Sequence, residues 1–517
     1  MKNNRLLVLI CLTALLLSGC QTETHNEPEA ETDSGFVSME ESPDLSYDVP
    51  ESLPRILVNQ LGYYPSGVKT VIFCGVENPD SFNIINADTG QVAYSGVPEF
   101  RGYDETYERE FSYADFSELT VPGEYYVEAP LLGRSYSFVI EDNLYDKVFH
   151  ESIKQYYYNR CGITLTENYA GNKTHNACHT GKAVLRKDMN VALDVSGGWH
   201  ENSQGSKKIE TAAKNVATML LAFELFEDSF TDDINIPESG NGIPDLLDEI
   251  RYEIDWFLKM QDPETGAVYD ALTISETNNK GINAYVENES LEASRAFAMA
   301  VAKFSYLYQN YDLEYSTVCL KAADRAWQYA LLNENQDEST VSDWKLAAGA
   351  ELYRASGDKS CKKILEEAFL SEKYESANHI RYFAYITYLS TKQDVEIAFC
   401  TQIMDALMDK AGKIAQESKK GLLYVNSNAE QSNNSELTEN MIYLSIVNHI
   451  ISNQEYETVI ENHLHYLMGR NVMSLCYLDD IGYRSYAQVY EGLGLMKQFD
   501  ENSKLIFLLA EIITHHL

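Results

Sequence analysis

Asn235-Ile236-Pro237-Glu238-Ser239-Gly240-Asn241-Gly242-Ile243-Pro244-Asp245 reads as a loop that ends in the start of a helix. Proline suits a first helical position, where the N–H has no helical partner to lose, and acids in the early turns face the positive end of the helix dipole. Ile243, Leu246, Leu247, Ile250, Ile254, Phe257 and Leu258 then fall on one face at helical spacing. Similar amphipathic stretches stand near 145–158 and 209–226 upstream. Downstream they stand near 289–310, 315–332, 342–356, 361–370, 378–391, 395–411, 436–451, 454–468 and 503–516. About a dozen helices, with no strand-like text between them and no short-period repeat, predict a closed helical toroid rather than an open solenoid.

Upstream of Asn143 the pattern changes. Ile56-Leu57-Val58, Thr70 to Cys74, Phe82 to Ile85, Tyr125 to Val127 and Tyr136 to Ile140 are β-rich and separated by Gly, Pro, Asn and Asp. Ala87-Asp88-Thr89-Gly90 and Val121-Pro122-Gly123 have turn composition. These features predict a small β-sandwich over 54–142, leaving 143–517 to the helices. Residues 21 to about 51 hold ten acids, three prolines and no Lys or Arg. Such a segment repels itself and buries little, so 21–53 reads as a disordered tether. Residues 1–20 read as an export signal, with Lys2 and Arg5, an apolar run from Leu6 to Leu17, and Leu17-Ser18-Gly19-Cys20 at its end. That ending resembles the lipobox of bacterial lipoproteins. An ordinary cleaved signal is the other reading; the lipobox implies lipidation of Cys20 and an anchor in the cell membrane, facing outward.

The 517 residues carry a formal charge of −39. A surface of that sign argues against nucleic acid and against acidic membrane surfaces, so membrane contact is expected through the lipid anchor only and the partners are expected to be neutral. The 36 tyrosines include faces of the kind on which neutral sugars stack, although core and interface roles account for most such residues. Beyond Cys11 and Cys20, seven scattered cysteines, an odd number, do not read as a disulfide framework.

Asp194-Val195-Ser196-Gly197-Gly198-Trp199-His200-Glu201-Asn202-Ser203-Gln204 is non-periodic and lies between helical stretches. Polar and aromatic side chains gathered on a loop mark a site rather than a core. Cys161, Cys178, His179 and His200 make a two-cysteine, two-histidine set suited to Zn²⁺, and four protein ligands would close a structural site. Spacing alone leaves a second reading open, two buried thiols with two hydrogen-bonded histidines.

Arg55-Ile56-Leu57-Val58-Asn59-Gln60-Leu61-Gly62-Tyr63 resembles the opening of the immunoglobulin-like domain that precedes some family 9 glycoside hydrolases. Tyr158-Asn159-Arg160-Cys161-Gly162, Ala177-Cys178-His179, Asp194 to His200 and Asn235 to Asp248 resemble that family's catalytic module. So do Ala350-Glu351-Leu352-Tyr353-Arg354-Ala355 and Tyr466-Leu467-Met468-Gly469-Arg470-Asn471, all in the family's order. The resemblance implies a multidomain chain, an N-terminal immunoglobulin-like β-sandwich followed by an all-α (α/α)6 barrel, and action on β-1,4-glucans such as cellulose. It also implies a structural zinc on Cys161, Cys178, His179 and His200. Calcium occurs in some relatives and is not placed by these motifs.

The acid–base machinery departs from the family. Inverting glycosidases use two carboxyl groups roughly 6.5–9.5 Å apart, one protonating the leaving oxygen and one activating water. After Gly-Gly-Trp-His the family reads Asp-Ala-Gly-Asp, with the second Asp as base; here Glu201, Asn202, Ser203 and Gln204 match. Gln204 cannot accept a proton at any useful pH. Glu201 keeps a carboxylate at the first position, either holding a water or standing as a solvated acid beside a zinc ligand. The family's acid lies eight residues before a helix that Lys504-Leu505-Ile506-Phe507-Leu508-Leu509-Ala510 matches, and Met496 stands there. Glu491 and Glu501 each need an alignment shift to serve. The family's sugar-binding Pro-His-His-Arg stretch is also gone, with Tyr483 to Tyr490 in its place.

Loss of chemistry beside a kept scaffold points to a surface-anchored glycan-binding pseudoenzyme, with neutral polysaccharide or oligosaccharide as partner. Trp199 reads either as a stacking platform or as a core residue. The rivals are an active hydrolase with relocated carboxylates, Glu201 with Glu491 or Glu501, and a structural or scaffolding surface protein.

Overall fold

Thr70–Gly75 is an unbroken apolar run because both faces of the strand are covered. Val71 and Phe73 point into the core of a β-sandwich, while Ile72 and Cys74 point into the helical domain. In this computed structural model the described residues are 53–485, apart from 106, 203, 278–280, 335–340, 371–373, 375–378, 427–433 and 478–481. Cys20, the tether before residue 53, Glu491, Met496, Glu501 and the helix expected near 503–516 lie outside the described residues.

The sandwich strands are β1 (Ile56–Leu57), β2 (Gly62–Tyr63), β3 (Thr70–Gly75), β4 (Phe82–Asn86), β5 (Val92–Gly96), β6 (Glu99–Asp104), β7 (Arg109–Asp115), β8 (Gly123–Ala129), β9 (Gly133–Arg134) and β10 (Phe138–Ile140). One sheet has the order β1-β3-β7-β6 and the other β2-β10-β8-β4-β5, with β9 on β8. Ile56, Phe73, Phe82, Ile84, Phe116, Val127 and Phe138 fill the space between them. The outer face of the first sheet packs on the helices through Leu57, Ile72, Cys74 and Phe111.

The helices run Asp146–Tyr158, Glu167–Ala170, Ile209–Leu225, Asp245–Lys259, Leu291–Tyr308, Leu313–Asn333, Asp343–Ser356, Lys359–Phe369, His379–Ser390, Ile397–Lys420, Asn434–Ile450 and Gln454–Leu467. Pro244 stands just before the fourth of these, one position earlier than its composition suggested. Leu291–Tyr308 shows why an inner ring forms. Ala293, Ala296, Ala298, Ala300 and Ala302 are all buried, so neighbouring helices approach on every side. Ile209–Leu225 and Asp343–Ser356 flank it, and His379–Ser390 follows. A buried ion network crosses the ring: Lys303 Nζ lies 2.6 Å from Glu224 and 3.4 Å from Glu351, and Arg354 bonds both acids. This is the role of Glu351 and Arg354 in the motif at 350–355. Between Ile209–Leu225, His379–Ser390 and Asn434–Ile450 lies a cavity of about 450 Å³ lined by Lys214, Tyr382, Lys410, Glu439 and Tyr443.

The expectation of no strands among the helices is corrected. β11 (Ala183–Leu185), β12 (Asp188–Leu193), β13 (Lys207–Lys208), β14 (Ala271–Thr277) and β15 (Gly281–Val286) form a sheet of order β12-β11-β15-β14-β13. Asp188 to Ala192 are exposed, so no apolar alternation announces their strand.

The two domains meet through buried polar groups. Arg470 bonds Asn462 Oδ1 at 2.6 Å, the Asn462 carbonyl at 3.0 Å, the Leu423 carbonyl at 2.9 Å, and the Thr70 hydroxyl. His465 Nε2 lies 2.8 Å from the Val68 carbonyl and Nδ1 lies 3.1 Å from Asn59 Nδ2, a pairing that fits a neutral imidazole with its proton on Nε2. Burial holds its pKa well below the ordinary histidine value.

Candidate metal centre and the adjoining acid loop

Two of the four expected ligands are aligned by a single antiparallel bridge between Arg160 and Trp199. Cys161 N–H donates to Gly198 O at 2.8 Å and His200 N–H to Asn159 O at 2.9 Å, so the ligand after each bridge residue is set by backbone. Gly198 has a φ of +68°, and a Cβ there would lie 2.8 Å from Trp256 Cγ. Gly205 leaves room for the His179 imidazole, whose Cε1 would lie 2.4 Å from a Cβ on it.

Cys161, Cys178, His179 and His200 bring one ligand atom each to within 4.8 Å of one another. Cys178 Sγ lies 3.3 Å from His200 Nε2 and 3.9 Å from Cys161 Sγ, and Cys161 Sγ lies 3.6 Å from His179 Nδ1. A tetrahedral zinc with ordinary bond lengths needs S···S edges of about 3.8 Å and S···N edges of about 3.5 Å. The donor set and its spacing therefore fit a four-coordinate ion with no open position. The contact between Cys161 and Cys178 draws the Cys178 thiol down and, with burial, pushes Cys161 up, so without an ion Cys178 is the thiolate of the pair. Calcium receives no ligand assignment.

Behind the ligands, Glu249 gathers both bridge residues. Arg160 Nε lies 3.1 Å from each of its oxygens and Arg160 NH2 2.9 Å from Oε2, while Trp199 Nε1 donates to Oε1 at 2.7 Å. Arg160 also reaches Glu238 at 2.9 Å, and the Tyr252 hydroxyl donates to the Cys161 carbonyl. Burial raises the Glu249 carboxyl pKa, opposed by Arg160. Glu253 accepts from Trp199 N–H at 2.6 Å and is pushed up to about 8 by burial. Neither acid was singled out in the sequence. The available signal was their i, i+4 placement beside Ile250 and Ile254, on the apolar face of their helix.

The stacking reading of Trp199 is corrected. Its side chain is 4% exposed, tilted against Tyr156 at 4.7 Å and tied to Glu249, leaving no face for a sugar. Glu201 points back into its own loop, where Oε1 accepts from Lys208 N–H at 2.9 Å and burial raises the carboxyl to about 8. It is half-buried rather than the freely solvated acid that the sequence left open. Asn202 Oδ1 accepts from Gln204 N–H at 3.1 Å and Ser206 N–H at 2.9 Å, winding this tight turn and leaving Gln204 exposed.

A sandwich leading into an (α/α)6 barrel, with a Gly-Gly-Trp-His loop bridged to Arg160, is an architecture shared with glycoside hydrolases. The chain belongs to glycosyl hydrolase family 9, whose pattern matches residues 145–502, preceded by a cellulase N-terminal Ig-like domain at 51–134. Endoglucanase D of Acetivibrio thermocellus is 29% identical over 463 residues, covering 83% of this chain and 73% of that protein. A xyloglucan-specific endo-β-1,4-glucanase of Bacteroides ovatus is 26% identical over 487 residues, covering 83% and 81%. In fold, the chain resembles the structure titled Bacteroides ovatus GH9, with a TM-score of 0.74, 24% identity and coverage of 83% and 87%. It likewise resembles a Zn-binding triple mutant of the family 9 endoglucanase J30, with a TM-score of 0.73, 23% identity and coverage of 82% and 85%.

Proposed function

We propose that this protein is a lipid-anchored, outward-facing member of the family that binds β-glucan-type polysaccharide without cutting it. The observation that carries this reading is the acid loop. Gln204, which the motif resemblance aligns with the family's base, is an exposed amide, and the carboxyl three positions earlier, Glu201, is turned inward onto Lys208 N–H. Loss of a general base costs about 10²–10⁴ in rate. Zinc on Cys161, Cys178, His179 and His200 would tie the loops at 161 and 178 to the Gly-Gly-Trp-His segment, keeping the scaffold rigid after catalysis was lost. Cys20 is the proposed lipid attachment point.

One observation favours the active rival. A carboxyl held near 8 is protonated at neutral pH, as a general acid must be. The two readings part when the protein is incubated with cello-oligosaccharides, carboxymethylcellulose and xyloglucan. Binding without product is expected; robust turnover that Glu201→Gln abolishes would overturn the pseudoenzyme. Absence of both turnover and binding would support the scaffolding alternative.

A further inference from the structure

Gln60, on the sandwich, is 4% exposed, and the barrel loop that follows Met468 is wound around its side chain. Its Nε2 donates to Ser474 O at 2.7 Å, and its Oε1 accepts from Tyr483 N–H at 2.9 Å and Arg484 N–H at 3.1 Å. Its backbone N–H donates to Met468 O at 2.9 Å. Gly469, with φ +109°, and Gly482, with φ +77°, close around the amide. A Cβ on the first would lie 2.4 Å from Nε2 and one on the second 2.7 Å from Oε1. Two glycines are needed because nothing larger fits against the amide.

This bracing presents Tyr483. Its side chain is 54% exposed, and its ring lies parallel to that of Tyr136 on the sandwich, with 5.0 Å between centroids and 4° between planes. We propose that Tyr483, backed by Tyr136, is a stacking platform for a neutral pyranose chain at the junction of sandwich and barrel, with Gln60 as its positioning residue. The proposal rests on the glycan-binding reading and supplies the aromatic face that Trp199 does not offer. A ring fixed beneath by a second ring, and held at its own N–H, loses little conformational freedom when a sugar lies on it. The net charge of −39 selects against polyanionic chains and leaves neutral glucans.

Calorimetric titration of the full chain with cellohexaose and with a xyloglucan oligosaccharide tests this. Tyr483→Ala should weaken binding about tenfold, the factor that corresponds to 1.4 kcal/mol, with an unchanged melting midpoint. Tyr483→Phe should bind as the wild type does, because the ring and not the hydroxyl makes the contact. Should Tyr483→Ala melt early, Tyr483→Leu keeps bulk against Tyr136 without a flat face and is expected to show the same loss. Wild-type affinity in these variants would overturn the platform and leave glycan binding standing. A wild-type protein that binds neither oligosaccharide would overturn both.

Discussion

Glu249→Gln isolates the group on which the proposed metal centre leans. In the native chain this carboxylate receives Arg160 through Nε and NH2 and Trp199 through its indole N–H, with Arg160 1% exposed and Glu249 fully buried. The amide retains one oxygen acceptor and sets an NH2 group against the guanidinium or the indole N–H, donor facing donor. Arg160 keeps only Glu238, whose side chain is 35% exposed. Removing one partner of a buried pair costs about 3–5 kcal/mol, and the surviving bond to Glu238 places this case near the lower end, at about 3 kcal/mol. Cys161 and His200 follow Arg160 and Trp199 directly, so the zinc affinity should fall about 10–100-fold, as it does when an outer-shell partner of a metal ligand is lost. Urea unfolding of the zinc-loaded protein, followed by tryptophan fluorescence, reads the first effect. Competition with a chromogenic chelator reads the second. An unchanged unfolding midpoint would show that Glu249 is already protonated in the folded chain and that no ion pair holds the bridge. A lowered midpoint with unaltered zinc affinity would detach the pair from the metal.

Zinc analysis of the purified protein is expected to give one ion per chain. Cys178→Ser should lose it and unfold at lower temperature, whereas Cys319→Ser, a buried thiol outside the cluster, should keep it; metal-free wild-type protein with an intact fold would refute the assignment. Stability should fall between pH 7 and 8. Burial raises Glu253 and Glu461 to about 8, so at pH 7 each holds a proton when folded that it has lost when unfolded. That contribution is fully present below the unfolded value of about 4.3 and disappears as pH rises through the folded one. Glu224, whose burial is outweighed by Lys303 and Arg354, sits at about 2 and does not titrate in this window, and His463, lowered to about 4 by burial, adds stability as pH rises to its unfolded value of about 6.5, a gain nearly complete by pH 7. Lys69, pushed down to about 8 by burial, acts in the opposite sense only above that value. Glu461→Gln should flatten the fall in unfolding midpoint; an equal slope in the variant would show that Glu461 is ionised in the folded chain.

Much of the fold was legible because helical periodicity survives whatever the tertiary partner is. The stretch expected near 454–468 became Gln454–Leu467, and that near 342–356 became Asp343–Ser356. Ile397–Lys420 outran its expected end at 411 because Ile414, Ala415 and Ser418 continue its buried side. The cluster of Cys161, Cys178, His179 and His200 could be read only through motif order, since backbone pairing at Arg160 and Trp199, rather than regular spacing, gathers these candidate ligands. The burial of Trp199 was not legible. It depends on Glu249, fifty positions away, and on Tyr156. The strand Asp188–Leu193 was hidden because its side chains face water and carry no apolar rhythm, and Ala183–Leu185, with two buried side chains, is too short to show one.

The polar seam between sandwich and barrel also sets a timetable. Val68 donates its N–H to Glu461, 393 positions later, and Arg484 donates to Gln60 from 424 positions away. A chain made at about 5–20 residues per second must wait about 20–80 s after Val68 is synthesised before Glu461 exists. The sandwich core is complete in sequence once Ile140 is made, whereas the seam partners Glu461 and Arg484 come more than three hundred positions later. The seam therefore closes only when both ends of the chain are present, and truncation before Glu461 is expected to destabilise the N-terminal sandwich as well as the barrel.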